Sequence, residues 1–95
     1  MSLKKKWWSS TVTSSDGFSV RFRDRATVVY MDKISRVFVG AEPGETIRGL
    51  WAIYPAQMYV GSLDGPRLED ETRRLLILSR LREVFKFLGY RYEVC

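Results

Sequence analysis

The sequence contains no histidine, and its only cysteine is the last residue. Histidine is the most common general base near neutral pH and a frequent zinc ligand, so its absence excludes most acid–base active sites and most zinc sites. Cys95 has no second cysteine to pair with, which excludes an internal disulfide. A nucleophilic Cys95 would also lack a histidine to activate its thiol. We therefore expect no metal site.

Motifs that hold phosphates or a nucleophile are also missing. The sequence has no GxxxxGK[ST] loop, no GxGxxG turn and no GxSxG elbow. The remaining acidic clusters are Glu42 with Glu45 in a predicted loop and residues 69–71 at a predicted helix start, where carboxylates ordinarily lie in water. We expect no catalytic residue, no cofactor and no enzymatic activity, so the question becomes what the protein binds.

No apolar run approaches the roughly 20 residues of a membrane-spanning helix. Lys4, Lys5 and Lys6 are followed by two tryptophans and then by hydroxyl residues, unlike the apolar core of a secretory signal. We therefore expect a cytoplasmic protein without stable membrane insertion. These lysines account for three of the +5 net charges, so the rest of the chain carries only +2. We assign residues 1–10 to a basic, aromatic leader that we expect to be frayed, and residues 11–95 to a single domain.

Residues 67–88 form the longest periodic segment and predict one helix. Pro66 suits its first turn, and Gly89 suits a left-handed C-terminal cap. Apolar residues at three- and four-residue spacing predict a buried stripe, with charged residues on the opposite face. The stripe contains Leu75, Leu78, Leu81, Phe85 and Leu88, flanked by Leu76, Ile77 and Val84, and the charged face contains Asp70, Arg73, Arg80, Glu83 and Lys86.

Short alternating segments predict strands before and after this helix. They are residues 18–23, 26–32, 35–39, 49–54 and 90–94, with 11–13 as a candidate short first strand. Residues 57–61 are either a further strand or an irregular edge that crosses toward the helix. A loop is predicted at 40–45 and a break at Pro55. The short connection between 18–23 and 26–32 predicts an antiparallel hairpin. The expected fold is α+β, with an antiparallel sheet of about four to six strands packed on one long C-terminal helix, and a short final strand.

A pattern in the C-terminal half resembles a known family. Its features are Glu42, a strand with Ile53-Tyr54, the loop Asp64-Gly65-Pro66, a charged helix ending in Phe87-Leu88-Gly89, and the strand Tyr92-Glu93-Val94. In this order they resemble the small immunity proteins encoded beside bacterial polymorphic and contact-dependent toxins. The chain departs from the family in its lysine-tryptophan leader and in Tyr59-Val60-Gly61, where the family has a tryptophan. These departures concern the partner surface more than the fold.

The resemblance implies stoichiometric inhibition of a cognate toxin domain, which requires a rigid surface with aromatic and arginine anchors and no catalytic group. The candidate partner-binding residues are Trp51, Tyr54, Tyr59, Arg21, Arg23 and Glu42. Trp51 and Tyr54 should lie on opposite faces of a strand, so at most one of them enters the core. A basic inhibitor suits an acidic toxin surface better than a nuclease, whose cleft is itself basic.

Two other interpretations stay open. In a single-stranded nucleic-acid binder, similar to the coactivator-type DNA binders, bases would stack on Trp51, Tyr30 or Tyr54. Phosphates would then contact Arg21, Arg23, Arg36 and the leader lysines. In a homodimeric adaptor, the last strand or an open sheet edge would pair across a two-fold axis.

Overall fold

In the part of the chain described by our computed structural model, residues 2–5, 10–24, 26–44 and 50–95, seven β-strands form one sheet and one α-helix covers one face of it. In chain order the elements are β1 (Leu3–Lys5), β2 (Thr11–Ser14), β3 (Ser19–Phe22), β4 (Thr27–Met31), β5 (Arg36–Pro43), β6 (Leu50–Val60), α1 (Glu71–Phe87) and β7 (Arg91–Val94). The strands lie side by side in this same order. The predicted α+β class, the C-terminal helix and the final strand are confirmed.

The sheet is mixed, and it has more strands than the four to six we predicted. Strands β1 to β6 pair antiparallel, including the predicted hairpin of β3 and β4. Strand β7 pairs parallel with β6, because α1 carries the chain back across the sheet before β7 begins. Strand β1, which adds to the count, comes from the segment we assigned to the leader. Residues 6–9 of that segment lie outside the described residues.

The predicted strand 49–54 and the segment 57–61 are one strand, so the predicted break at Pro55 is wrong. Strand β6 continues because the register shifts: Gly40 pairs with Tyr54 while Val39 pairs with Met58. The extra residues of β6 are accommodated as a bulge. A β-carbon at Gly40 would lie 2.9 Å from the β-carbon of Gln57, so the close approach at the bulge requires glycine there.

The predicted loop at 40–45 is also wrong over its first four residues. Residues 40–43 continue β5, and Glu42 pairs with Ala52 of β6. Pairing with a long neighbouring strand outweighs the glycine and proline content that indicated a loop. Glu45 lies outside the described residues.

The helix begins later than we predicted. Asp70 is its N-cap, and the carboxylate of Asp70 accepts a hydrogen bond from the backbone N–H of Arg73. Arg67, predicted as helical, instead forms an isolated bridge with Tyr59. Gly89 has a φ of +75°, as the predicted C-terminal stop requires. Within the described residues, no helix combines the length and apolarity needed to cross a membrane.

The buried stripe of the helix agrees only in part with the one we predicted. Its buried residues are Ile77, Leu81, Val84 and Phe85, whereas Leu75 is 59% exposed. This stripe packs on the core side of the sheet, whose buried members are Val12, Val20, Val28, Tyr30, Val37, Val39, Ala41, Ile53 and Met58. Leu81 and Phe85 belong to the predicted stripe, and the flanking residues Ile77 and Val84 are buried in place of Leu75. The stripe is broad, so helical spacing alone does not determine the exact rotation of the helix on the sheet.

A buried ionic cluster determines this rotation of the helix. Asp32, after β4, accepts hydrogen bonds from Arg73 Nη1 and Nη2 at 2.6 and 2.8 Å. Arg80 Nη1 lies 3.7 Å from the same carboxylate and donates to the hydroxyl of Tyr30 at 2.6 Å. Our prediction that Arg73 and Arg80 face solvent is wrong, since only 11% and 22% of their side chains are exposed. We call Asp32, Tyr30, Arg73 and Arg80 the Asp32 cluster.

Hydrogen bonds from Arg73 hold the pKa of Asp32 well below its usual range, outweighing the opposing effect of burial. Because the folded-state pKa is lowered, the resulting stability is present above the unfolded pKa of about 4 and is lost as pH falls. We expect Asp32→Asn to lower the free energy of unfolding by about 3 kcal/mol at neutral pH, since it leaves two partly buried arginines without their carboxylate. Urea unfolding at several pH values measures this.

The exposed Asp16→Asn provides the control and should change stability by less than about 0.5 kcal/mol. The difference between wild type and Asp32→Asn should shrink below about pH 4, as the carboxylate of the unfolded wild type becomes protonated while that of the folded protein stays ionised. A difference that stays constant down to pH 2, or that is no larger than for the control, would contradict this account of the Asp32 cluster.

Candidate functional site

The sheet has a second face that α1 does not cover, and the strand register determines which residues lie on it. Residues paired across neighbouring strands present their side chains on the same face, and successive residues alternate. Val20 and Tyr30 are paired and belong to the core side, so their neighbours along the strands lie on the other face. We call the other face the helix-free face.

Two rows of paired residues cross the helix-free face. The first row contains Thr11, Arg21, Val29, Phe38 and Tyr59. The second row contains Lys4, Thr13, Ser19, Met31 and Arg36. Each row combines cationic, hydroxyl and apolar side chains. Neither row contains a carboxylate.

The helix-free face brings together most of the predicted partner-binding residues. Arg21 and Tyr59 belong to its first row, and the guanidinium of Arg23 lies 5.8 Å from the ring centre of Phe38 in that row. Tyr54 and Glu42 lie on the same face at the far end of β5 and β6, where the hydroxyl of Tyr54 donates to Oε1 of Glu42 at 2.7 Å. These five residues lie between positions 21 and 59 of the chain, and the pairing of the strands places them on one face.

Trp51 is the exception, because it lies on the core side. Its ring centre is 5.4 Å from that of Phe85 and 5.3 Å from that of Phe22, and it stacks on Tyr90 at 5.8 Å. The expectation that at most one of Trp51 and Tyr54 enters the core agrees with this arrangement. Trp51 closes the sheet against the end of α1 and is not part of the helix-free face.

Tyr30, suggested above as a base-stacking residue, cannot serve in that way. It is fully buried on the core side, and its hydroxyl donates to Asp32 at 2.7 Å. Burial, together with the hydrogen bond to Asp32, raises the pKa of Tyr30. Of the three aromatic residues proposed for stacking, only Tyr54 lies on the helix-free face.

A groove of about 310 Å³ opens on this face at the β2 to β5 side. Its lining residues are Thr11, Thr13, Ser19, Arg21, Val29, Met31 and Arg36. We call it the arginine groove. The strand pattern already showed Thr11 and Thr13 alternating with Val12, but the sequence does not show which strands are neighbours. For that reason only the two arginines of the groove were predicted as binding residues from the sequence.

The cations of the arginine groove have no acidic partner within the part of the chain that the structure describes. Among the described residues, Arg21 and Arg36 form no ion pair, and Nη2 of Arg36 donates a weak hydrogen bond to the sulfur of Met31 at 3.9 Å. Arg23, beside the groove, lies 3.8 Å from Asp24, and both side chains are about half exposed. An exposed ion pair of this kind contributes little energy. The guanidinium groups are therefore available to an anionic partner.

Glu42 and Tyr54 form the polar end of the helix-free face. The hydrogen bond to Glu42 raises the pKa of Tyr54, because ionising the phenol would place two negative charges side by side. Within the described residues, no group of three or more acidic, cysteine or histidine side chains is arranged to hold a metal ion. The face thus offers hydrogen-bonding and charged groups for binding.

We expect Glu42→Gln to lower the pKa of Tyr54 toward the ordinary tyrosine value of about 10, since the neighbouring negative charge is removed. The pH titration of the Tyr54 ring signals by NMR, in wild type and variant, measures this change. Glu83→Gln, an exposed change on α1, is the matched control and should leave the titration of Tyr54 unaltered. Identical Tyr54 titrations in wild type and Glu42→Gln would show that the two side chains do not interact in solution.

Comparisons of this chain with protein-family models, with curated proteins and with solved structures found no match. The function must therefore be argued from the residues of the helix-free face and from the resemblance in the C-terminal half. Of the features of that resemblance, Glu42 and Tyr54 both lie on this face.

Proposed function

We propose that this protein is a non-catalytic protein-binding module that binds an acidic partner through its helix-free face. The supporting observation is that strand pairing collects Arg21, Arg23, Tyr54, Tyr59 and Glu42 on one face, away from the helix. Tyrosine and arginine are among the residues that most often dominate the energy of protein interfaces. Their positions on a paired sheet give them a rigid support, which lowers the entropy cost of binding.

The floor of the face is suited to a protein contact. Val29 is 5% exposed and Phe38 is 9% exposed. Their side chains are therefore packed among the neighbouring residues of the face, and the surface is shallow rather than a deep cavity. Tyr54 and Tyr59 are half-buried and present part of their rings to solvent. A shallow surface of this kind, with apolar contacts surrounded by charged groups, has the composition of a protein–protein interface.

We propose further that the partner is a bacterial toxin domain, which the protein neutralises by stoichiometric binding. This step rests on the resemblance to small immunity proteins carried by Ile53-Tyr54, Asp64-Gly65-Pro66 and the helix ending at Phe87-Leu88-Gly89. Covering or locking a toxin requires no catalytic group in the inhibitor. A basic inhibitor surface would bind an acidic region of the toxin by charge complementarity.

A single-stranded nucleic acid is the second candidate partner. The observation in its favour is that Arg21, Arg23 and Arg36 share the helix-free face, where they could contact successive phosphates. The burial of Tyr30 and the packing of Trp51 weaken this candidate, because they remove two of the three proposed stacking residues. A homodimeric adaptor stays a prediction. The last strand, β7, or the opposite edge strand, β1, would be available for it.

The proposed function predicts a large toxin gene immediately upstream of this protein's gene, and its test is co-expression with the C-terminal domain of that toxin. We expect wild type to restore growth and to co-purify with that domain. Arg21→Glu/Arg23→Glu should weaken binding about 30-fold or more, since two interface arginines become repulsive charges. Isothermal titration calorimetry with a catalytically inactive toxin domain measures the affinity.

Arg82→Glu/Lys86→Glu is the matched control, because it makes the same charge change at exposed positions of α1. The control should bind within a few-fold of wild type. If the upstream domain neither binds the protein nor loses toxicity on co-expression, the immunity function is wrong. If both double variants lose binding equally, the helix-free face is not the binding surface.

A further inference from the structure

We propose that the arginine groove is a carboxylate-binding site that accepts a glutamate or aspartate side chain from an extended acidic segment of the partner. This inference rests on the proposed function and adds the chemistry of the contact. It concerns the seven lining residues given above, of which only Arg21 and Arg36 carry a charge.

The register places the two arginines on opposite sides of the groove. Arg21 of β3 pairs with Val29 of β4, and Arg36 of β5 pairs with Met31 of β4. Since neighbouring strands are about 4.8 Å apart, β3 and β5 stand roughly 10 Å apart with β4 between them. An anion above β4 would therefore meet a guanidinium from each side.

The groove supplies hydrogen-bond donors that suit a carboxylate. A guanidinium presents planar, paired N–H groups that match the two oxygens of a carboxylate. The groove is also lined by the hydroxyl residues Thr11, Thr13 and Ser19. Each hydroxyl can donate a hydrogen bond to an oxygen of the carboxylate. The hydroxyl of Thr13 donates a long, weak hydrogen bond of 3.5 Å to the carbonyl of Lys4, which a carboxylate ligand can replace by a stronger one.

The floor of the groove favours an amino-acid side chain over a nucleotide. It is formed by Val29, which is 5% exposed, and Met31, which is 43% exposed. The lining contains no aromatic ring, whereas single-stranded nucleic acids are held largely by stacking of bases on aromatic rings. Methylene groups of a glutamate, or an aliphatic residue beside it, can pack on valine and on the adaptable thioether of methionine.

The Asp32 cluster holds the groove in shape from the other side of the sheet. Met31 immediately precedes Asp32, and Arg36 immediately follows Ser35, whose hydroxyl accepts a hydrogen bond from Arg73 at 3.0 Å. The backbone N–H of Ser35 donates to Asp32 at 3.1 Å and closes the turn between β4 and β5. Met31 and Arg36 are therefore held in place by their sequence neighbours. Because they are already ordered, less entropy is lost when the ligand binds.

The experiment is an NMR titration of the full chain, labelled with ¹⁵N and with ¹³C at the methionine methyl groups. The probes are a blocked peptide of alternating glutamate and leucine, the same peptide with glutamine for glutamate, oligothymidine and inorganic phosphate. We expect the glutamate peptide to shift the amides of Thr11, Ser19 and Val29 and the methyl of Met31. The glutamine peptide should bind at least about 10-fold more weakly, because each guanidinium loses its charged partner.

Variants identify the groups responsible. Arg21→Gln/Arg36→Gln should reduce the affinity for the glutamate peptide about 10-fold or more, and Arg82→Gln/Lys86→Gln, on α1, should leave it within two-fold. The dispersed amide spectrum of each variant shows whether it is folded. A glutamate peptide that shifts none of the groove signals, or that binds the groove variant as well as wild type, would overturn the proposal.

The remaining probes separate other ligands. Tighter binding of oligothymidine, falling steeply with salt, would assign the groove to a nucleic-acid backbone and overturn the carboxylate proposal. Equal shifts with inorganic phosphate would overturn it in favour of an unspecific anion site. If the groove binds the glutamate peptide but the toxin domain does not bind the protein, only the proposed immunity function fails. If the toxin domain binds through Arg21 and Arg23 but the peptide does not bind, only the groove proposal fails.

Discussion

The buried carboxylate of Asp32 joins the sheet to the helix, and the arrangement of both faces depends on it. It accepts hydrogen bonds from the guanidinium of Arg73, the hydroxyl of Tyr30 and the backbone N–H groups of Ile34 and Ser35. Only 8% of the Asp32 side chain is exposed, so a missing partner would leave a buried charge uncompensated. Because Arg73, Ile77 and Leu81 are four residues apart on α1, pairing Arg73 with Asp32 also turns Ile77 and Leu81 toward the core.

The rotation of the helix has a direct consequence for binding. With α1 fixed over the core side, Arg21, Arg23 and Tyr59 remain on a face that the helix does not cover. The turn that carries Asp32 also connects the two strands that supply Met31 and Arg36 to the arginine groove. The hairpin of β4 and β5 thus contributes to both stability and binding, because it carries part of the Asp32 cluster on one face and part of the arginine groove on the other. We expect substitutions in the Asp32 cluster to affect binding only through the shape of this hairpin.

Local patterns in the sequence predicted much of the fold, and non-local pairing explains what they missed. The alternation at Phe18, Val20 and Phe22 indicates a strand, and Gly89 indicates the end of the helix, because both signals depend on near neighbours. The contact between Asp32 and Arg73 spans 41 residues, and no local pattern shows it. The bulge of β6 is similar, since it depends on Gly40 meeting Gln57 across two strands. For the site, residue type was enough to suggest the arginines and tyrosines, but only the register showed that Trp51 lies on the other face and that hydroxyl groups accompany Arg21.

The most direct test of this account is a double-mutant cycle on Asp32→Asn and Arg73→Met, measured by urea unfolding at neutral pH. If the two side chains hold α1 to the hairpin, the effects of the single substitutions should be strongly non-additive, with a coupling energy of about 2 kcal/mol or more. Amide exchange in the double variant should also increase at residues 31–36 and in the first turns of α1, because both lose the same anchor. Additive effects, with a coupling energy below about 0.5 kcal/mol, would contradict the claim that this ion pair determines which face of the sheet is free.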